Sequence, residues 1–324
     1  MKKRSRVRPL IVVASALVAL FALTVQASPG DEATWTVKPD IRNVKGNYTP
    51  LVITGANQIR VYANTNGSAS SDGTLFMRSG SFTSVGKATA VILPSQITDQ
   101  TGKPFIRTTG VVRAPSGKYY AVLHVGDSYP SPTGYVPAWA TSNDGVSWTY
   151  RGKFRIDGTI PYVYSSGASL IVQEEKPAVL DTFNPINNRY LVWEDAYSID
   201  GVYKRMVLVY SADGVDWRFY RNALGEVIDV WPNDPSVAAD QPVFPTTTKT
   251  PYGFHLIAGD RWPTSFHRHL YSCDGLTWRV IEIQADTYAG PKGTNLAYEA
   301  TTGLIHALTS ASHFTLPAQA WSCP

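Results

Sequence analysis

A seven-residue pattern that occurs three times limits what this chain can fold into. Ser142-Asn-Asp144-Gly145-Val-Ser-Trp148 returns as Ser211-Ala-Asp213-Gly214-Val-Asp-Trp217 and again as Ser272-Cys-Asp274-Gly275-Leu-Thr-Trp278. The aspartates are 69 and then 61 residues apart. Each copy stands between short apolar runs. Lys118-Tyr-Tyr-Ala-Val-Leu-His-Val, Arg205-Met-Val-Leu-Val-Tyr and Gly253-Phe-His-Leu-Ile-Ala are examples. Such runs, rich in aromatic and branched residues and bounded by Gly, Pro, Asn and Asp, read as strands. Asp-Gly between two of them predicts a hairpin, because Asp bonds the turn backbone and Gly accepts a positive φ without a Cβ clash. A near-constant period with about four strands per unit is the pattern of propeller blades. The fold class is therefore all-β, a five-bladed β-propeller of four-stranded antiparallel blades.

The five units are expected to begin near Tyr48, Phe105, Glu174, Asp240 and Gly293. The first carries a degenerate turn at Ser71-Asp72-Gly73, and the fifth is cut short before the tail. The N-terminal 27 residues read differently. Lys2, Lys3, Arg4, Arg6 and Arg8 precede an apolar run from Leu10 to Val25 that ends in Val25-Gln26-Ala27. A basic start, a short apolar centre and a small residue at the cut describe a secretory signal peptide. Residues 28–324 then form a single propeller domain, secreted or periplasmic, with no membrane attachment after cleavage.

Cleavage also changes the charge. The full chain is formally +4 and its leader holds five basic residues and no acid, which leaves −1. Without a basic stripe, nucleic acid is not an expected partner. Cys273 and Cys323 are the only cysteines, and in an oxidising compartment they are expected to pair. No cofactor loop, Cys-x-x-Cys pair or metal-ligand spacing is visible, so neither cofactor nor metal is expected. His255, His267 and His269 read as strand surface. The chain is read as a monomer.

The three Asp-Gly turns resemble the Asp-box hairpins of sialidases and of several glycoside hydrolase propellers. In those families the aspartates are structural, which implies the same for Asp144, Asp213 and Asp274. The segment Gln173-Glu174-Glu175-Lys-Pro177-Ala-Val-Leu, followed by Asn188-Arg-Tyr-Leu-Val-Trp193, is similar to one in five-bladed furanosidase-type propellers. That group contains the arabinanase and β-xylosidase family and the invertase and levansucrase relatives. The resemblance implies that Glu175, or its neighbour Glu174, is a general acid at the start of the third blade. The aspartate those families hold at the start of blade one has no counterpart in Gly46-Asn-Tyr-Thr-Pro50. Asp240, and then Asp127, are the alternative partners.

Glycosidic hydrolysis needs two carboxyls, one protonated to assist the leaving oxygen and one to act as base or nucleophile. Crowded carboxylates raise one another's pKa, which supplies the acid. In a propeller these groups belong at the starts of the innermost strands and after the second strands. Catalytic candidates are thus Glu175, Asp240 and Asp127. Arg107, His124, Glu194, Asp195, Asp260, Arg261 and Trp262 are the expected substrate-binding groups. The expected function is an exported glycoside hydrolase acting on a polysaccharide or oligosaccharide, with carbohydrate as partner. A non-catalytic carbohydrate-binding propeller is one alternative. A sialidase-like hydrolase of an acidic sugar, holding a carboxylate through Arg107 and Arg261, is the other.

Overall fold

The computed structural model describes residues 35–44, 50–64, 73–99, 105–126, 136–156, 162–198, 204–231, 242–260, 266–285, 295–309, 312–321 and 323. The segment read as a signal peptide lies outside them. The described residues form five sheets, antiparallel apart from a two-residue parallel pairing of Arg155–Ile156 with Asp216–Trp217, and two short 3-10 turns, arranged as a five-bladed β-propeller.

Strand β1 (Thr36–Lys38) precedes the first blade. Blade one holds β2 (Leu51–Gly55), β3 (Gln58–Ala63), β4 (Leu75–Ser81) and the short β5 (Ser84–Val85) and β6 (Thr89–Ile92). Blade two holds β7 (Phe105–Arg113), β8 (Tyr119–Gly126), β9 (Val136–Ser142) and β10 (Trp148–Lys153). Strand β11 (Arg155–Ile156) adds to blade three, which holds β12 (Tyr162–Val172), β13 (Tyr190–Ser198), β14 (Lys204–Ser211) and β15 (Asp216–Phe219). Blade four holds β16 (Pro242–Thr250), β17 (Gly253–Asp260), β18 (Phe266–Ser272) and β19 (Arg279–Ala285). Blade five holds β20 (Asn295–Glu299), β21 (Leu304–Thr309) and β22 (Ser312–Pro317). The innermost strands β2, β7, β12, β16 and β20 neighbour one another around the axis.

Two expectations about the blades are corrected. Blade five is not cut short: β1 pairs with β22, Val37 opposite Phe314, and supplies the fourth strand. The ring is closed by joining the two ends of the chain. The degenerate turn expected at Ser71-Asp72-Gly73 is not the outer hairpin of blade one either. Gly73 stands just before β4, the third strand, whereas the outer hairpin is Ser81-Phe82-Thr83-Ser84.

The three repeated turns share one hydrogen-bond pattern. Oδ1 of Asp144 accepts from the N–H groups of Val146 and Ser147 at 2.8 and 2.7 Å, and Gly145 N–H donates to the Ser142 hydroxyl at 2.8 Å. Asp213 and Asp274 do the same with Val215 and Asp216, and with Leu276 and Thr277. These bonds hold the Asp144 carboxyl well below the ordinary carboxylate range, the Ser147 and Val146 N–H groups contributing most. The glycine carbonyl then docks the turn. Gly145 O accepts from Trp148 Nε1 at 3.2 Å and from Tyr62 of the preceding blade at 3.0 Å, and Gly275 O accepts from Trp193 of the preceding blade at 3.3 Å. The aspartates are fully engaged in their own turns and lie at the outer strands.

Apolar layers fill the spaces between blades. Between blades two and three, Trp139, Tyr190 and Trp217 meet edge-on or tilted, and Phe154 stacks on Trp217 at 3.8 Å. Trp193 and Trp231 belong to the layer between blades three and four. The expected Cys273–Cys323 bond is present and ties the tail after blade five to the turn of blade four. It closes a span of 50 residues, worth about 4 kcal/mol in the chain-entropy account. Replacing both cysteines by serine is expected to lower unfolding free energy by roughly 2–4 kcal/mol. Urea denaturation of wild type and variant, each with and without reductant, checks this: the variant should be indifferent to reductant.

Candidate active site

The two ends of the ring differ in chemistry. At the end where the innermost strands finish, a cavity of about 430 Å³ is walled by Leu51, Val111, Leu170, Ile171 and Leu296, with Thr247 and Thr248 as its buried polar groups and Arg113 and Lys249 toward its mouth. At the end where they start, the second strands of blades two and three and the third strand of blade four carry charge into the interior. His124, Glu194, Asp195 and Arg268 are each at most 1% exposed.

Strand alternation places these four in pairs. On β8, His124 shares its face with Tyr120 and Val122; on β13, Glu194 shares its face with Tyr190 and Val192. All four apolar partners pack in the layer between blades two and three, so His124 and Glu194 belong to the same interface. Asp195 lies on the opposite face of β13, with Leu191 and Trp193, toward blade four. Arg268 shares the face of Leu270 on β18, toward blade three, and sits 6.0 Å from the Trp231 ring. Asp195 Oδ1 also accepts the Gly167 N–H at 2.6 Å, where β12 bulges between Ser165 and Ala168. Burying charges costs several kcal/mol per ion unless their partners are well placed. Four such charges gathered at the strand-start end of blades two to four make that end the candidate site.

The expected site residues fall into three sets. His124, Glu194 and Asp195 are at this end, inside strands rather than in the loops after them. Arg107 lies in β7 opposite His124, and Asp260 ends β17. Asp240, Asp127, Arg261 and Trp262 lie outside the described residues, in segments that adjoin β16, β8 and β17 in sequence.

Glu174 and Glu175 are elsewhere, which corrects the reading of them as the start of blade three. The innermost strand there is β12, Tyr162–Val172, and both glutamates lie in the turn after it, at the cavity end of the ring. Glu174 accepts from the Ser116 N–H and hydroxyl at 2.8 and 2.7 Å and from Tyr120 at 3.3 Å. Burial raises its pKa, but those Ser116 and Tyr120 bonds, with Lys118, outweigh burial and hold the carboxyl below its ordinary value. A general acid needs the reverse. Glu175 is exposed and paired with Lys249 at 3.2 Å. The sequence misled here because Glu175-Lys-Pro177 imitates Asp240-Gln-Pro242, whereas β12 has Ser165-Ser-Gly167 at its centre and reads poorly as a strand.

Sequence reasoning also missed Arg268 as part of the charged layer, since nothing local distinguishes it from its neighbour His267. His255 and His269, read as strand surface, are fully buried. His313 lies in the third strand of blade five, β22. Among the described residues no group of three or more His, Cys, Asp or Glu could hold a metal ion. Among them also, no helix is long and apolar enough to cross a membrane.

Fold and site together define a five-bladed propeller with a charged inner layer at the strand-start end. Solved structures with this fold include a family 117 glycoside hydrolase of the marine bacterium Zobellia galactanivorans, at TM-score 0.59 and 12% identity over 89% of this chain and 92% of that one. A glycosyl hydrolase of Bacteroides ovatus is similar at TM-score 0.55 and 14% identity, covering 92% of this chain and 99% of the other. A family 43 β-1,3-galactosidase with galactodeoxynojirimycin is similar at TM-score 0.52 and 12% identity, covering 89% and 95%. At these identities the likeness establishes a shared fold. No protein-family model matches the sequence, and no curated protein matches it either.

Proposed function

We propose that this chain is an exported glycoside hydrolase acting on a polysaccharide or oligosaccharide, with its carboxyl pair drawn from Asp240 and Asp127. The observation that carries this reading is the one-sided burial of His124, Glu194, Asp195 and Arg268 in a fold shared with glycoside hydrolases. One aspartate is assigned the leaving-group proton and the other the role of base or nucleophile. Arg107, Asp260, Arg261 and Trp262 are assigned to the sugar, Trp262 by stacking. His124, Glu194 and Asp195 hold the innermost shell in place. Glu175 is left out of the machinery because it is exposed, ion-paired and at the other end of the ring. The leader at residues 1–27 and the disulfide support export.

The test is a panel of plant, fungal and bacterial glycans presented to residues 28–324 and to Asp240→Asn, Asp127→Asn and Glu175→Gln. On the glycan that turns over, at least one aspartate variant is expected to lose a hundredfold to ten-thousandfold in kcat. Glu175→Gln should remain within about twofold, since an exposed ion pair contributes little. Binding without turnover on every glycan would replace the enzyme by a carbohydrate-binding module. Loss of turnover in Glu175→Gln alone would move the chemistry to the cavity end.

A further inference from the structure

Blade five is bounded on both sides by a histidine pair in the same structural position. In blade four, His255 on the second strand meets His269 on the third, Nδ1 to Nε2 at 3.0 Å. In blade five, His306 on the second strand meets His313 on the third, again Nδ1 to Nε2 at 3.0 Å. The registers agree: the third-strand histidine stands opposite the residue two positions after its partner, Ile257 in one blade and Leu308 in the other. Four of the chain's six histidines are thus committed to these two diagonals.

The two pairs are fastened differently. The seam between blades four and five is crossed by the Cys273–Cys323 bond. The seam between blades five and one, where the ring closes, has no disulfide: the chain crosses it from β1 to β2, so blade five is held there through the pairing of β1 with β22. Among the described residues its apolar layer is the smallest of the five, seven buried residues against sixteen between blades one and two. Phe82 reaches across it from the tip of the outer hairpin of blade one, where blades two to four carry Asp-Gly. Its ring lies flat on both His306 and His313, with centroids 4.4 and 4.8 Å away.

The hydrogen bonds fix the neutral form of this pair. His306 Nε2 faces Glu299 Oε2 at 3.2 Å, so Nε2–H donates to that carboxylate and Nδ1 accepts from His313 Nε2–H. Thr302 donates to the same Glu299 oxygen at 2.6 Å. The charged groups around the pair among the described residues are Glu299, which favours protonation of His306, and Lys38 of β1, opposite His313, which opposes it. One added proton, on His313 Nδ1, leaves the mutual bond intact but puts a cation in an apolar seam beside Lys38. A second, on His306 Nδ1, turns two N–H donors against each other.

We propose that the blade five–blade one seam is an acid-opened latch: protonation of the His306–His313 pair releases Phe82 and β1, while the Cys273–Cys323 bond keeps blade five on blade four. The proposal is independent of the assigned catalysis. Opening separates the innermost strands that gather the charged layer and is reversible on neutralisation, because the disulfide preserves the register of blades four and five.

The test is hydrogen–deuterium exchange of residues 28–324 with the disulfide intact, at pH 7.0 and pH 5.0, corrected for the intrinsic rate. At pH 5.0 the amides of residues 36–38, 82–85 and 312–317 should exchange at least tenfold faster, while those of 119–142 in blade two stay protected. In the double variant His306→Gln, His313→Gln the acid-induced gain should fall below about threefold. If that variant does not fold, the ring resonances of His306 and His313 in wild type are titrated instead, and their protonation should coincide with loss of seam protection. Seam amides that stay protected at pH 5.0, exchange gained in all five blades together, or rings that titrate while the seam stays closed would each overturn the latch.

Discussion

Gly214→Ala is expected to destabilise the protein by about 3–5 kcal/mol, from the left-handed backbone and overpacking together, and to leave little folded material. Gly214 has φ near +77°, and a Cβ placed on it falls inside the Trp139 indole of the preceding blade. That ring cannot retreat, because Trp139 is held edge-on by Tyr190 and Trp217 and stacked near Tyr120. Gly225→Ala and Gly303→Ala separate the two contributions. Both glycines have positive φ, 82° and 70°, with nothing within 4 Å of the added carbon, so they should cost only the backbone term, about 1–2 kcal/mol. Urea midpoints of the three variants decide the matter. If Gly214→Ala comes within about 1 kcal/mol of Gly225→Ala, the repeated turn is not an inter-blade joint.

The second large effect is acid destabilisation between pH 6.5 and 4. Burial pushes His255 down to about 3, and burial, with His255 beside it, pushes His269 well below its ordinary value. Burial with His306 and Lys38 nearby takes His313 to about 4. Glu282, 3.9 Å from His269 and bonded to Trp35, is the acid that faces the first pair. The sign follows from proton counts. Below pH 6.5 the unfolded chain protonates these rings and the folded chain does not, so acid favours unfolding until the folded values are reached. Each such ring contributes a limiting slope of about 1.4 kcal/mol per pH unit; for His255 this comes to roughly 2 kcal/mol between pH 6.5 and 4.5, and His269 acts in the same direction. Asp144, Asp213 and Asp274 act in a lower window. Their pKa values are depressed, so the stability they add is present above about pH 4 and disappears only as pH falls further. Urea unfolding free energy at half-unit steps from pH 7 to 4.5 should therefore fall steeply, and His255→Gln with His269→Gln should flatten the curve. An unchanged slope in that variant would show that the pair takes up no protons on unfolding.

The acid effects of the two pairs are separable because the seams are held differently. Loss of the His306–His313 pair is read locally, at the closure that no disulfide spans and that the β1–β22 pairing holds. Loss of the His255–His269 pair is read only in global unfolding, since the Cys273–Cys323 bond keeps that seam together.

The blades and their outer turns were legible in the sequence because both are local. A Ser-x-Asp-Gly-x-x-Trp turn completes its hydrogen bonds within seven residues, and alternating runs such as Lys118–Val125 carry their own strand signal. The cysteine pairing was legible because only one pairing exists. What a sequence cannot carry is which distant segments meet. The three residues Thr36–Lys38 have no strand signal of their own and become one by pairing with β22. Phe82 is an ordinary aromatic until the ring brings two histidines beneath it. The charged layer on the second and third strands depends on which face of each strand turns toward which neighbouring blade, and that is set only when the blades pack side by side. For the same reason Glu175 could be read into the funnel when the fold places it at the opposite end. Local chemistry determined the turns and strands; the side of the ring on which each charge stands was decided by long-range strand pairing.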